Sequence, residues 1–64
     1  MNIGEKIKQR RIELNLSQND LANETGLSRQ YINKLETGKA DNLTMGSLTK
    51  LMKALHCSIG FFLD

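Results

Sequence analysis

Residues 17–37 leave this chain little freedom, because a glycine stands between two short segments that each carry their own start signal. Ser17, with Asp20 three residues on, has the form of a capping box, which predicts a helix beginning at Gln18. Leu21 and Ala22 are its inward residues. Gly26 ends it, since glycine enters the left-handed region after a helix without a steric penalty. Leu27 is expected to be buried in the turn. Ser28 caps a second helix whose apolar residues, Ile32 and Leu35, are three apart and share one face.

The other face of that second helix carries Arg29, Gln30, Asn33 and Lys34. Amide and cationic groups of this kind hydrogen-bond to base edges and to phosphates. The block Leu16-Ser17-Gln18, Leu21-Ala22, Gly26-Leu27-Ser28, Ile32, Leu35-Glu36, Gly38 resembles the helix-turn-helix of the phage-repressor and Cro family, the XRE-type transcriptional regulators. The resemblance is strongest over residues 16–38. It implies a lambda-repressor-like, all-α bundle of five helices, with residues 1–64 forming one domain. It also implies sequence-specific binding of double-stranded DNA, with the second helix in the major groove. The plainer alternative is a pair of amphipathic helices packed for structure alone.

Composition agrees with an all-helical chain and narrows its chemistry. At 64 residues there is room for one domain, near the lower limit of burial for independent folding. Proline is absent, and no segment alternates with a period of two long enough for a strand. The formal charge is only +2, so placement matters more than total. Between Ser28 and Lys39, Arg29, Lys34 and Lys39 stand against Glu36 alone, a locally basic stretch suited to steering toward phosphate. The lone Cys57 allows neither an internal disulfide nor a structural zinc site, and reads as a small buried residue. No metal or other cofactor is expected. With one histidine, no carboxylate cluster, no glycine-rich phosphate loop and little concave volume, an enzyme is rejected. No signal peptide or membrane-length apolar run is found, so a cytoplasmic location is expected.

Asn2 and Glu5 resemble a capping box for a first helix running to about Leu14. Ile3, Ile7 and Leu14 share a face, flanked by Ile12, while Lys6, Lys8, Gln9, Arg10 and Glu13 point mostly to water. Asn15 is placed for a left-handed cap, and Leu16 returns the chain to the core. Arg11 lies on the apolar stripe and needs a partner, because an unpaired buried ion is very costly. Glu36 is the natural one, and the resemblance implies the same pairing; otherwise both charges are solvated.

A polar loop over residues 39–43 is followed by Thr44, a plausible N-cap for a helix through Leu55. Its inward residues are Leu48, Leu51, Met52 and Leu55, with Lys50 and Lys53 outside. His56 falls where the helix dipole favours a cation. Ser58 then caps a short last helix with Ile59, Phe61, Phe62 and Leu63, more apolar residues than one side of it can bury. Either all four close the bundle, or some form an exposed patch. The resemblance implies a twofold contact there, a homodimer reading a pseudo-palindromic operator with recognition helices about 34 Å apart.

Roles on DNA follow residue by residue. Arg29 and Gln30 occupy the first turn of the reading helix, and Asn33 and Lys34 lie one turn on; all four are assigned to base edges. Gln18, with Ser17, opens a helix whose N-terminus favours phosphate. Ser28 opens the reading helix in the same way. Tyr31 has a hydroxyl for a phosphate, or a ring that lies over the first helix pair. Thr37, Lys39 and Asn42 are phosphate clamps in the loop after the reading helix. The sequence departs from the family at Arg10, where an apolar residue is frequent and an extra exposed cation is expected. Tyr31 and Lys34 make the reading surface its own. Three functions compete: a repressor acting by occupancy, an antitoxin-like regulator that also holds a toxin, and an interaction module without DNA binding. Residues for a fused effector domain are not seen, so any sensing is expected to come through a partner protein, concentration or competition at the operator.

Overall fold

The computed structural model describes residues 2–40 and 42–63; Asp41, in the expected polar loop, and the two terminal residues lie outside them. Five helices follow in order: α1 Ile3–Glu13, α2 Gln18–Thr25, α3 Arg29–Glu36, α4 Met45–Leu55 and α5 Ile59–Leu63. The fold is all-α, with no strand among the described residues.

The first four helix starts are each fixed by a side-chain oxygen that accepts one of the orphan N–H groups of the first turn. Asn2 accepts from the Glu5 N–H, Ser28 from Tyr31 and Thr44 from Ser47. At α2 the exchange is reciprocal: Ser17 Oγ accepts from the Asp20 N–H at 2.9 Å, and the Ser17 N–H donates to Asp20 Oδ2 at 2.9 Å. The backbone N–H and then the hydroxyl of Ser17 hold the Asp20 carboxyl below its usual range. A depressed carboxyl stabilises the fold above its unfolded-state pKa, and that support is lost as pH falls through the lowered value. Left-handed residues stop four helices: Asn15 (φ 58) after α1, Gly26 (φ 77) after α2, Gly38 (φ 77) after α3 and His56 (φ 53) after α4. His56 is the unexpected one, for the sequence suggested a charge at the dipole rather than a left-handed cap.

Every helix sends at least one side chain into the core. Ile7, Leu21, Ile32, Leu35, Leu48, Leu51, Leu55 and Phe62 are buried together. Ile3, Leu14, Ala22, Leu27, Met52 and Cys57 pack against this cluster but are only half-buried. Leu27 and Cys57 are therefore less enclosed than the sequence suggested. Desolvation raises the Cys57 thiol pKa, with Arg10 opposing.

The polar side of α1 is where expectation fails. Lys6 is only 6% exposed. Its Nζ donates to the Phe61 carbonyl at 2.8 Å and lies 5.8 Å from the centroid of the Phe61 ring. Arg10 is half-buried too, its Nε donating to the Leu55 carbonyl at 2.9 Å and its Nη2 to the His56 carbonyl at 3.4 Å. The last carbonyls of a helix lack intrahelical partners and carry partial negative charge. One turn apart on α1, the two cations satisfy those of α4 and α5. Arg10 is thus a clamp for the C-terminal half, not an extra exposed cation.

Gly4 is a second feature that periodicity does not disclose. A Cβ placed there would run into the Leu35 carbonyl, because the α1 backbone lies directly on the end of α3. Backbone cannot swing aside as a side chain does. Gly4→Ala is expected to cost about 1–3 kcal/mol or more through overpacking, outweighing the ~1 kcal/mol that alanine gains in a helix. Urea unfolding would show the loss; a variant as stable as the parent would contradict this close approach.

Candidate nucleic-acid interface

The turn between α2 and α3 holds the second helix at its angle. Gly26 supplies the left-handed backbone, and its N–H donates to the Ala22 carbonyl at 2.8 Å. Thr25, buried, stitches the corner: its Oγ1 donates to the Leu21 carbonyl at 2.7 Å and accepts from the Leu27 N–H at 3.2 Å. Nothing in the sequence singled this threonine out, since a lone Thr at a helix end has no periodic signature. Ile32 and Leu35 then bury one face of α3, which leaves Arg29, Gln30, Asn33 and Lys34 exposed on the other. Those four line a shallow concavity of about 330 Å³. No acidic residue occupies the first turn of α3, so its positive dipole end is uncompensated.

Arg11 and Glu36 are joined behind this face. Arg11 Nε donates to Glu36 Oε2 at 2.7 Å and Nη2 to Oε1 at 3.0 Å, a two-pronged pair that ties α1 to the end of α3. Arg11 Nη1 also donates to the Leu16 carbonyl at 2.7 Å. The side chains are 11% and 2% exposed, so the pair is nearly dry. Gln18 Nε2 donates to Glu36 Oε1 at 3.1 Å, and Asn33 Nδ2 donates to Gln18 Oε1 at 3.4 Å. The Gln18 amide is therefore half-buried and engaged, rather than free at the start of α2.

The residues assigned to phosphate divide. Ser17, Ser28, Lys39 and Asn42 are exposed. Both serine oxygens are N-caps acting as acceptors, which leaves their O–H groups able to donate outward. Tyr31 and Thr37 turn their hydroxyls to backbone within the chain. The Tyr31 ring packs against the core and its hydroxyl donates to the Asn42 carbonyl at 3.3 Å, tying α3 to the following loop. The Thr37 hydroxyl donates to the Asn33 carbonyl at 2.8 Å. Both donors are engaged with backbone in the DNA-free chain.

The apolar tail also divides. Phe62 is 7% exposed and belongs to the core, and Phe61 is half-buried edge-on against it, with ring centroids 5.4 Å apart. Only Ile59 (41% exposed) and Leu63 (77%) remain at the surface. Phe62 is removed from the expected contact surface for that reason.

A short helix presented polar face outward, by a glycine corner on a second helix, defines a helix-turn-helix domain. The helix-turn-helix family model matches residues 7–62, and the chain belongs to that family, whose members of this kind are the XRE-type, Cro-like regulators. An uncharacterized transcriptional regulator in the ATPase CF(0) region of Rhodospirillum rubrum is 37% identical over 60 residues, 94% of this chain and 55% of that one. The chain thus spans about half the length of that relative. Among solved structures, the biofilm master regulator SinR in complex with DNA superposes with a TM-score of 0.91 at 32% identity, covering 97% of this chain and 98% of that one. The restriction-modification controller protein C.Esp1396I, a tetramer in complex with its natural 35 base-pair operator, gives 0.81 at 39% identity, covering 95% and 80%. Among the described residues, no cluster of three or more His, Cys, Asp or Glu is placed to hold a metal ion, and no helix is long and apolar enough to cross a membrane.

Proposed function

We propose that the chain is a sequence-specific double-stranded DNA-binding transcriptional regulator, acting as a homodimeric repressor on a pseudo-palindromic operator. The observation that carries this reading is the outer face of α3, where Arg29, Gln30, Asn33 and Lys34 are all exposed and flanked by the exposed Lys39. Arginine suits guanine and glutamine suits adenine, each good bidentate pair giving about 1–3 kcal/mol of discrimination. Ser17 and Ser28, at two helix starts, and Lys39 and Asn42, in the loop, would hold phosphates on either side of the groove. The Asp20 carboxylate at the start of α2 works against an anion there, so the α3 end and the loop carry the larger share. The DNA-bound forms of SinR and of C.Esp1396I support this reading. Selection from a random DNA pool is expected to return two half-sites related by a dyad, about 34 Å between centres. Enrichment of no motif would contradict it.

The dimer contact is assigned to Ile59 and Leu63, with the half-buried Phe61 at its edge. Ile59→Asp with Leu63→Asp is expected to leave the helices intact and reduce a sedimenting dimer to a monomer. Phe62→Asp would instead place a charge in the core and unfold the chain. A wild-type protein that sediments as a monomer at every concentration, and on DNA as a single copy, would remove the homodimer.

A further inference from the structure

Glu36 has a hydrogen-bonding reach that extends to the outer face of α3. Its Oε2 receives Arg11 Nε at 2.7 Å, and its Oε1 receives Arg11 Nη2 at 3.0 Å and Gln18 Nε2 at 3.1 Å. An ionised carboxylate only accepts. Gln18 is therefore forced to turn its nitrogen inward and its oxygen away from Glu36. That oxygen receives Asn33 Nδ2 at 3.4 Å. A side-chain amide can ordinarily present either end, since its oxygen and nitrogen are almost the same shape. Here the buried charge removes that freedom twice in succession, first at Gln18 and then at Asn33.

We infer that Glu36 sets the hydrogen-bond polarity of the reading face: acting through Gln18, it holds Asn33 with Nδ2 toward α2 and leaves Oδ1 as the outward acceptor. Asn33 then matches a base edge that offers a donor. Adenine fits best, with N6–H donating to Oδ1 and N7 accepting the remaining Nδ2 hydrogen; the O6 of guanine and O4 of thymine present acceptors to an acceptor and are disfavoured. The inference rests on the DNA-reading role proposed above. In it Asn33 is the contact residue, while Gln18 and Glu36 are positioning residues.

Gln18 is the place to test this, because its replacement leaves the Arg11–Glu36 pair and the Ser17 cap untouched. Random-pool selection would be run on the parent, Asn33→Ala, Gln18→Met and Gln18→Lys, each checked for helicity and cooperative melting. The parent is expected to prefer adenine at one position of each half-site by roughly tenfold or more. Asn33→Ala and Gln18→Met should both flatten that same position. In Gln18→Lys the ammonium still donates to Glu36 but accepts nothing, so Asn33 should turn its oxygen inward and the preference should move toward guanine or thymine. A Gln18→Met protein that binds all sequences more weakly by one common factor, with every base preference unchanged, would overturn the inference alone. A parent that enriches no sequence would overturn the DNA-reading role and the inference with it.

Discussion

Arg11→Ala is expected to destabilise the protein by about 3–5 kcal/mol, the cost of leaving one partner of a buried ion pair behind. Glu36, 2% exposed, would keep only Gln18 as a donor, and the Leu16 carbonyl would lose its Arg11 partner as well. A chain of 64 residues has about 3–10 kcal/mol in total at ~0.05–0.15 kcal/mol per residue, so the loss removes much of the fold. Urea denaturation is the measurement, with the midpoint falling sharply. Replacing both residues together, as Arg11→Met with Glu36→Met, is expected to recover most of the loss, because two apolar side chains leave no charge unpaired. A loss under about half a kcal/mol for Arg11→Ala would show the pair to be solvated and of little consequence.

Affinity for the operator should fall by roughly four decades between 50 and 200 mM salt if a dimer makes ~8 phosphate contacts, since each contact releases condensed counterions. The formal charge of +2 does not explain so steep a slope on its own. It has to come from where the charges and helix ends lie: Lys39 after α3, Lys34 on it, and the N-termini capped by Ser17 and Ser28. Lys39→Ala should lower the slope by about 2 per dimer, one for each protomer, while leaving base preferences alone. Binding isotherms across salt concentrations read both effects. A nearly flat dependence would mean that phosphates are not what the protein holds.

Much of the architecture was legible because its signals are local. Ser17, Ser28 and Thr44 mark helix starts through oxygens that reach only three residues ahead, and Asn15 and Gly26 mark ends through backbone torsions. The exposed face of α3 was legible too, as the complement of Ile32 and Leu35. Arg11 and Glu36 could be matched across 25 residues because a charge on an apolar stripe demands a partner and because the family resemblance implies the same pairing. What escaped was long-range and non-periodic. Lys6 and Arg10 sit on faces that look solvated, yet they find helix-end carbonyls 45–55 residues away. Gly4 in α1 and His56 after α4 are set by neighbours that no spacing encodes. Tyr31 and Thr37 carry donors that look available until the nearest carbonyl is located. Phe62 was indistinguishable from Leu63 by composition, and only packing separates the buried ring from the exposed side chain.

We propose that α3 offers Arg29, Gln30, Asn33 and Lys34 to the major groove. Footprinting of the folded protein on its selected sequence at low ionic strength tests it most directly. The expected result is protection of two half-sites on one side of the duplex, lost when Arg29 and Lys34 are both replaced by alanine without loss of helicity. Unprotected DNA with the parent protein, or protection that survives the double replacement unchanged, would contradict it.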